Sequence, residues 1–116
     1  MKEFSNRIHI LLSDNSYVGP ILSLLVDEFK FIPTPELSDA GILFNCDLTL
    51  YLSNPVEDVL LALKREKTGI ITLFDTLGGE YPIGSSSIPA RIHLIEHLNR
   101  SILYIRCFMT TNPLSL

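Results

Sequence analysis

The sequence is poor in several of the residues that fix a protein's class at a glance. Cysteine occurs only twice, and Cys46 and Cys107 both lie inside apolar stretches. That suits small core hydrophobes in a reducing compartment better than a disulfide framework. Positive charge is also scarce: nine Lys and Arg against thirteen Asp and Glu leave a net charge of −4. With a pI near 5.2 and no basic run, a self-sufficient nucleic-acid binder is disfavoured, because such binding is driven by Lys and Arg displacing counterions from phosphates. Long apolar runs are missing as well, none approaching the roughly 20 residues of a transmembrane helix. The opening MKEFSNRIHILLSD lacks the long apolar region and small-residue cleavage site of a signal peptide. A cytoplasmic protein without a membrane partner is the expectation. What the chain does have is apolar bulk, 47% hydrophobic and 19% charged over 116 residues, which predicts one globular domain spanning residues 1–116.

Residues 7–12 (RIHILL) read as a buried first strand, ended by the turn-prone Ser13-Asp14-Asn15-Ser16. Helical spacing follows: Val18, Ile21, Leu22, Leu25 and Val26 share a stripe that Ser16 caps, predicting a first helix to about Phe29. Residues 29–32 suggest a short edge strand stopped by Pro33-Thr34-Pro35, since proline has no N–H for a ladder. Residues 36–45 read as a short second helix weakened by Gly41. In residues 47–53 (DLTLYLS), Leu48, Leu50 and Leu52 share one face, the clearest strand pattern in the chain. Residues 56–67 form the clearest helix, with Val56, Val59, Leu60 and Leu63 on one stripe, acids in the first turn and bases in the last. Residues 69–74 read as a strand, 78–87 as a Gly/Ser/Pro-rich loop, and 87–100 as a helix opened by Ser87 and Pro89, with Ile88, Ile92 and Ile95 on its stripe. Residues 101–109 form the last strand, placed at an edge by Arg106.

Strands alternating one to one with helices predict an α/β fold, an open doubly wound five-stranded parallel sheet of the flavodoxin-like type. The helix due after the fifth strand is absent or truncated, since only Asn-Pro-Leu-Ser-Leu remains beyond Thr111.

The segments IHILLSDNS, CDLTLYLSNP, GIITLFDT and SILYIRCFM in this order resemble the receiver domains of bacterial two-component response regulators. The resemblance covers residues 7–116. Its chemistry implies three carboxylates holding Mg²⁺, with a Lys and a hydroxyl on the phosphoryl oxygens. Here the acidic pair is reduced to Ser13-Asp14, the acceptor slot falls on Leu52 or Ser53, and the hydroxyl slot falls among Phe74, Asp75 and Thr76. No Lys-Pro follows the last strand. Asp47 opens its strand, roughly 16 Å from the functional edge. The resemblance therefore implies an atypical receiver that has lost phosphotransfer, holds no metal or cofactor, and forms the N-terminal part of a longer regulator whose C-terminal output domain binds DNA.

Other constellations are weaker. His93 and His97 stand four apart on the predicted helix, but no third ligand completes a metal set. The 78–87 loop precedes a helix N-terminus, a geometry that cradles phosphate, yet it holds an acid and no base. Ser13 and Ser53 at strand ends, with His9 nearby, lack a GxSxG turn or a paired acid. A flavin site or a phosphocysteine site after the first strand lacks its loop and its Cys, because that position is Ser13. No catalytic residue is assigned, and the expectation is a non-enzyme that signals by homodimerisation in transcription regulation. The receiver resemblance implies a dimer face of Ile92, Ile95, Glu96, Arg100, Tyr104 and Arg106. The alternative is a small-molecule-binding module or a flavodoxin-like enzyme using the sheet edge around Asp14, Ser53, Asp75 and the 78–87 loop.

Overall fold

The computed structural model describes residues 3–13, 21–39, 41–55 and 57–114. Its strands run β1 (Phe4–Leu12), β2 (Leu22–Leu25), β3 (Thr34–Ser38), β4 (Gly41–Asn45) and β5 (Leu48–Leu52). Helix α1 (Glu57–Leu63) follows, then β6 (Lys67–Asp75), β7 (Glu80–Ile83), β8 (Ala90–Glu96), β9 (Ser101–Arg106) and β10 (Phe108–Met109). The large sheet has the order β2-β1-β6-β8-β9-β5, with β7 also paired to β6, and a small sheet has the order β10-β4-β3. Every strand pair is antiparallel. No helix among the described residues is long and apolar enough to cross a membrane.

This corrects the doubly wound parallel α/β expectation. The strands expected at 7–12, 47–53 and 69–74 are present, as is the helix after Pro55, shortened to α1. Strands replace three of the expected helices. In β2, Leu22 and Leu24 are buried while Ser23 and Leu25 face out, a period of two rather than 3.6. Within the first expected helix, residues 22–25 are thus a strand and 26–29 irregular chain, and Ser16 and Val18 lie outside the described residues. Residues 36–45 supply β3 and β4, which turn back on each other at Ser38↔Gly41, with Gly41 at φ 108, a left-handed conformation that glycine adopts without a Cβ penalty. Residues 90–96 alternate Ala90, Ile92 and Leu94 inward with Arg91, His93 and Ile95 outward. The expected strand at 29–32 is irregular chain that carries Phe29 and Phe31 into an aromatic cluster around Phe4, at centroid distances of 5.6 and 6.2 Å. The 78–87 loop contains β7. The expected last strand at 101–109 is split: β9, which holds Arg106, is interior between β8 and β5, and β10 is an edge of the small sheet.

One face of the large sheet is the core. Ile8, Ile10, Ile71, Leu73, Ile92, Leu103, Ile105 and Leu50 are fully buried, and Val59 and Leu63 of α1, with Cys46 and Cys107, close over them. Burying such side chains contributes roughly 1.5–3 kcal/mol each relative to exposure. The two cysteines are free and buried; they stand opposite each other where the Cys46 N–H donates to the Cys107 carbonyl at 2.8 Å.

The sheet is stepped. β8 pairs with β6 only through Ala90–Ile92, opposite Gly69–Lys67. Beyond Ile92 no strand lies on that side of β8 among the described residues, and α1, which leads into β6, stands there instead. This step creates the site described next.

Candidate functional site

The antiparallel pairing takes apart the site expected at the strand ends. Leu12 pairs with Gly69 and Phe4 with Asp75, so Ser13 and Asp75 lie at opposite ends of β1 and β6, roughly 20 Å apart. Leu52 is a core residue at 1% exposure, and Ser53 is exposed just after it. Asp14 lies outside the described residues. Asp75 is committed locally: its Oδ1 accepts the N–H groups of Leu77 at 2.9 Å and Gly79 at 2.7 Å, and its Oδ2 accepts the Tyr81 hydroxyl at 2.8 Å. Thr76 occupies the same turn and donates its N–H to the Glu3 carbonyl at 3.1 Å. His93 and His97, on a helix face in the sequence reading, are separated along extended chain by roughly 13 Å. No group of three metal-ligating side chains exists among the described residues.

The six residues expected at a dimer face divide. Ile92 is fully buried in the core, because its strand position faces inward. Arg100 forms an ion pair with Asp27. Ile95, Tyr104 and Arg106 share the outward face of β8 and β9, and Glu96 ends β8 as an exposed residue.

Two hollows meet on that outward surface at His93. One is a groove of about 580 Å³ between α1 and β8, lined by Glu57, Leu60, Leu61, Lys64, His93, Leu94, Ile95 and Glu96. Its helical wall follows from spacing, since positions 57, 60, 61 and 64 fall on one stripe at i, i+3, i+4 and i+7, while Val59 and Leu63 turn to the core. Its strand wall is the unpaired part of β8. The His97 N–H donates to the Arg100 carbonyl at 2.9 Å, so alternation along the ladder aims the backbone N–H and C=O of Leu94 and Glu96 away from β9 and into the groove. The charges are graded: Glu57 and Glu96 lie at one end, where α1 begins and β8 ends, and Lys64 lies at the other.

The second hollow is a cleft of about 210 Å³ lined by Glu66, Arg91, His93, Tyr104 and Arg106. Arg91 stands directly opposite Arg106 across the β8–β9 ladder, and His93 stands opposite Tyr104. Like charges placed directly opposite cost a few tenths of a kcal/mol to about 1 kcal/mol. Arg106 donates to Asp47 at 3.3 Å, while Asp47 also accepts the Cys107 N–H at 3.0 Å. Neither Arg91 nor Glu66 has an ion-pair partner among the described residues. Around this cleft, the outward positions of β1, β5, β6, β8 and β9 hold no Asp or Glu, and the nearby acids, Glu66 and Asp47, lie just outside those strands.

Of the lining residues, Ile95, Glu96, Tyr104 and Arg106 were reached from the sequence, whereas Arg91, His93 as a lining residue, and the α1 stripe were missed. The signal for the stripe was present in the 57, 60, 61, 64 spacing. Arg91 becomes visible only once residues 90–96 are read as a strand. No family model, curated protein or solved structure matches the chain.

Proposed function

We propose that the chain is an interaction domain that acts by binding, and that it docks a short extended apolar segment of a partner protein in the groove between α1 and β8. The observation that carries this reading is the composition of the two walls. Leu60, Leu61 and Ile95 offer apolar surface, Leu61 being 62% exposed, and the unpaired backbone of Leu94 and Glu96 offers donors and acceptors in the spacing of an extended chain. Partner segments are held in this way when main-chain hydrogen bonds supply affinity and alternate side chains supply specificity. A groove of about 580 Å³ lies in the size range of ligand sites.

Homodimerisation through the outward face, the expectation from sequence, is the competing use of the same surface.

Nile red, a neutral apolar dye, tests the groove. Its fluorescence should rise saturably with the wild-type chain, and Leu61→Lys and Ile95→Lys should each weaken binding at least tenfold while leaving the fold intact. Sedimentation at several concentrations runs alongside. Dye binding untouched by both substitutions would overturn the reading, and a concentration-dependent dimer abolished by Ile95→Lys would assign the surface to a second copy.

A further inference from the structure

We infer that the cleft bounded by Arg91 and Arg106 is an oxyanion subsite, which receives a phosphoryl or carboxylate group carried beside the apolar segment in the α1–β8 groove. The inference deepens the docking reading, because it names the chemistry of the same partner. It stands on different residues, with only His93 shared by groove and cleft.

Four observations lead to it. First, Arg91 and Arg106 are directly opposed across the ladder, an arrangement that side-chain pairing disfavours and that an anion between the guanidinium groups would reverse. Two planar donor forks converging on one place are the usual means of holding a carboxylate or phosphate. Second, the pair is unevenly occupied: Arg106 reaches Asp47 at 3.3 Å, whereas Arg91 has no partner among the described residues. One guanidinium is therefore available and the other is partly neutralised. Third, the next cross-strand pair is His93 and Tyr104, so an imidazole and a phenol line the same cleft and add donors beside the cations. Fourth, the chain carries an excess of acid overall, at −4, yet the outward strand positions around the cleft hold no carboxylate, and the two acids beside it, Asp47 on Arg106 and Glu66 in the lining, stand just outside the strands.

Glu66 is the exception within the cleft. It lines the same hollow without an ion pair among the described residues, so it competes with an incoming anion for Arg91. This makes it an internal control: removing its charge should strengthen anion binding, whereas a cleft with no ligand role would show no such gain.

The experiment is a titration of the isotopically labelled full chain with inorganic phosphate, and separately with acetate, at constant ionic strength and pH. Amide and guanidinium resonances are followed by heteronuclear NMR. Saturable shifts are expected at Arg91, His93, Tyr104 and Arg106, with Arg91→Gln weakening binding at least tenfold and Glu66→Gln tightening it severalfold. Saturation by phosphate with weak or absent acetate binding assigns the group to a phosphoryl source, and the reverse assigns it to a carboxylate. Shifts that never saturate with either ion, or that persist unchanged in Arg91→Gln, would overturn the inference. Leu61→Lys should leave phosphate binding intact, and Arg91→Gln should leave Nile red binding intact. Loss of the oxyanion subsite and loss of the groove reading are therefore separately visible.

Discussion

Asp75 provides the sharpest test of the structural argument, because an acid at the end of a strand invites a catalytic or metal-binding role and the structure gives it another. Its carboxylate accepts hydrogen bonds from Leu77, Gly79 and Tyr81 at 2.7 to 2.9 Å, and the backbone closes the same turn through Asp75 N–H to the Gly79 carbonyl at 2.9 Å. These bonds hold the β6–β7 hairpin and anchor Tyr81, whose ring packs edge-on against Phe4 at 5.9 Å. Hydrogen bonds to a charged acceptor contribute about 1.5–3 kcal/mol each. The three share one partly exposed group and are not additive, so Asp75→Ala should cost about 3 kcal/mol. In a domain of this size that lowers the melting temperature by roughly 10 °C. Asp75→Asn keeps an acceptor oxygen for the two N–H groups and offers its amide to the Tyr81 oxygen, so it should lose only about 1 kcal/mol. Urea unfolding followed by far-UV circular dichroism and tyrosine fluorescence measures both, tyrosine serving because the chain has no tryptophan. A cost below about 0.5 kcal/mol for Asp75→Ala, the range of an ordinary surface substitution, would refute the assignment of Asp75 to the turn.

Gly84 has φ 92, and a Cβ there would come within 2.7 Å of the Ala90 backbone nitrogen, so Gly84→Ala should destabilise by at least 1–3 kcal/mol in a melting curve. On α1, Leu63 is fully buried and Leu61 is 62% exposed; Leu63→Ala should cost about 2–5 kcal/mol and Leu61→Ala less than about 0.5 kcal/mol by urea titration, while only the latter reports on the groove. Burial first, then the Cys107 thiol and Asp47, push the Cys46 thiol from 9.0 up to about 12. The folded chain therefore keeps a proton that the unfolded chain releases: this contribution is intact below pH 9.0 and is lost as pH rises towards about 12. Unfolding titrations between pH 8 and 11 should show a steeper loss for the wild type than for Cys46→Ala, and native alkylation of Cys46 at pH 8 should be negligible.

Part of the fold was legible in residue periodicity. Residues 48–52 carry strict alternation because both outward positions, Thr49 and Tyr51, are distinguishable from the leucines facing in, and β5 matches its pattern. Helix α1 was legible because its core stripe and its acidic first turn agree. Parallel pairing was an inference from alternating element types, and it failed when the intervening helices proved to be strands. Nothing local in β2 or β8 announces antiparallel pairing; that depends on the residues between them forming hairpins, as His97 to Arg100 does between β8 and β9.

The misread strands have a common physical cause, and it bears on function. In β2 the outward Leu25 is 66% exposed, and in β8 the outward Ile95 is half-buried. Each supplies an apolar residue where alternation requires a polar one, so LSLL and HLIE acquire a spacing that also fits a helix. A strand with one face in the core reads as apolar and polar in turn only if its other face meets water. Where the other face is itself apolar, either the pattern is lost for no gain or that face meets something other than water. In β8 the interrupting residue, Ile95, lines the α1–β8 groove, and the outward positions before it, Arg91 and His93, line the cleft. The apolar residue that hid the strand in the sequence is therefore the one that makes the strand wall of the groove apolar, and substitutions restoring alternation at Ile95 should cost binding rather than stability.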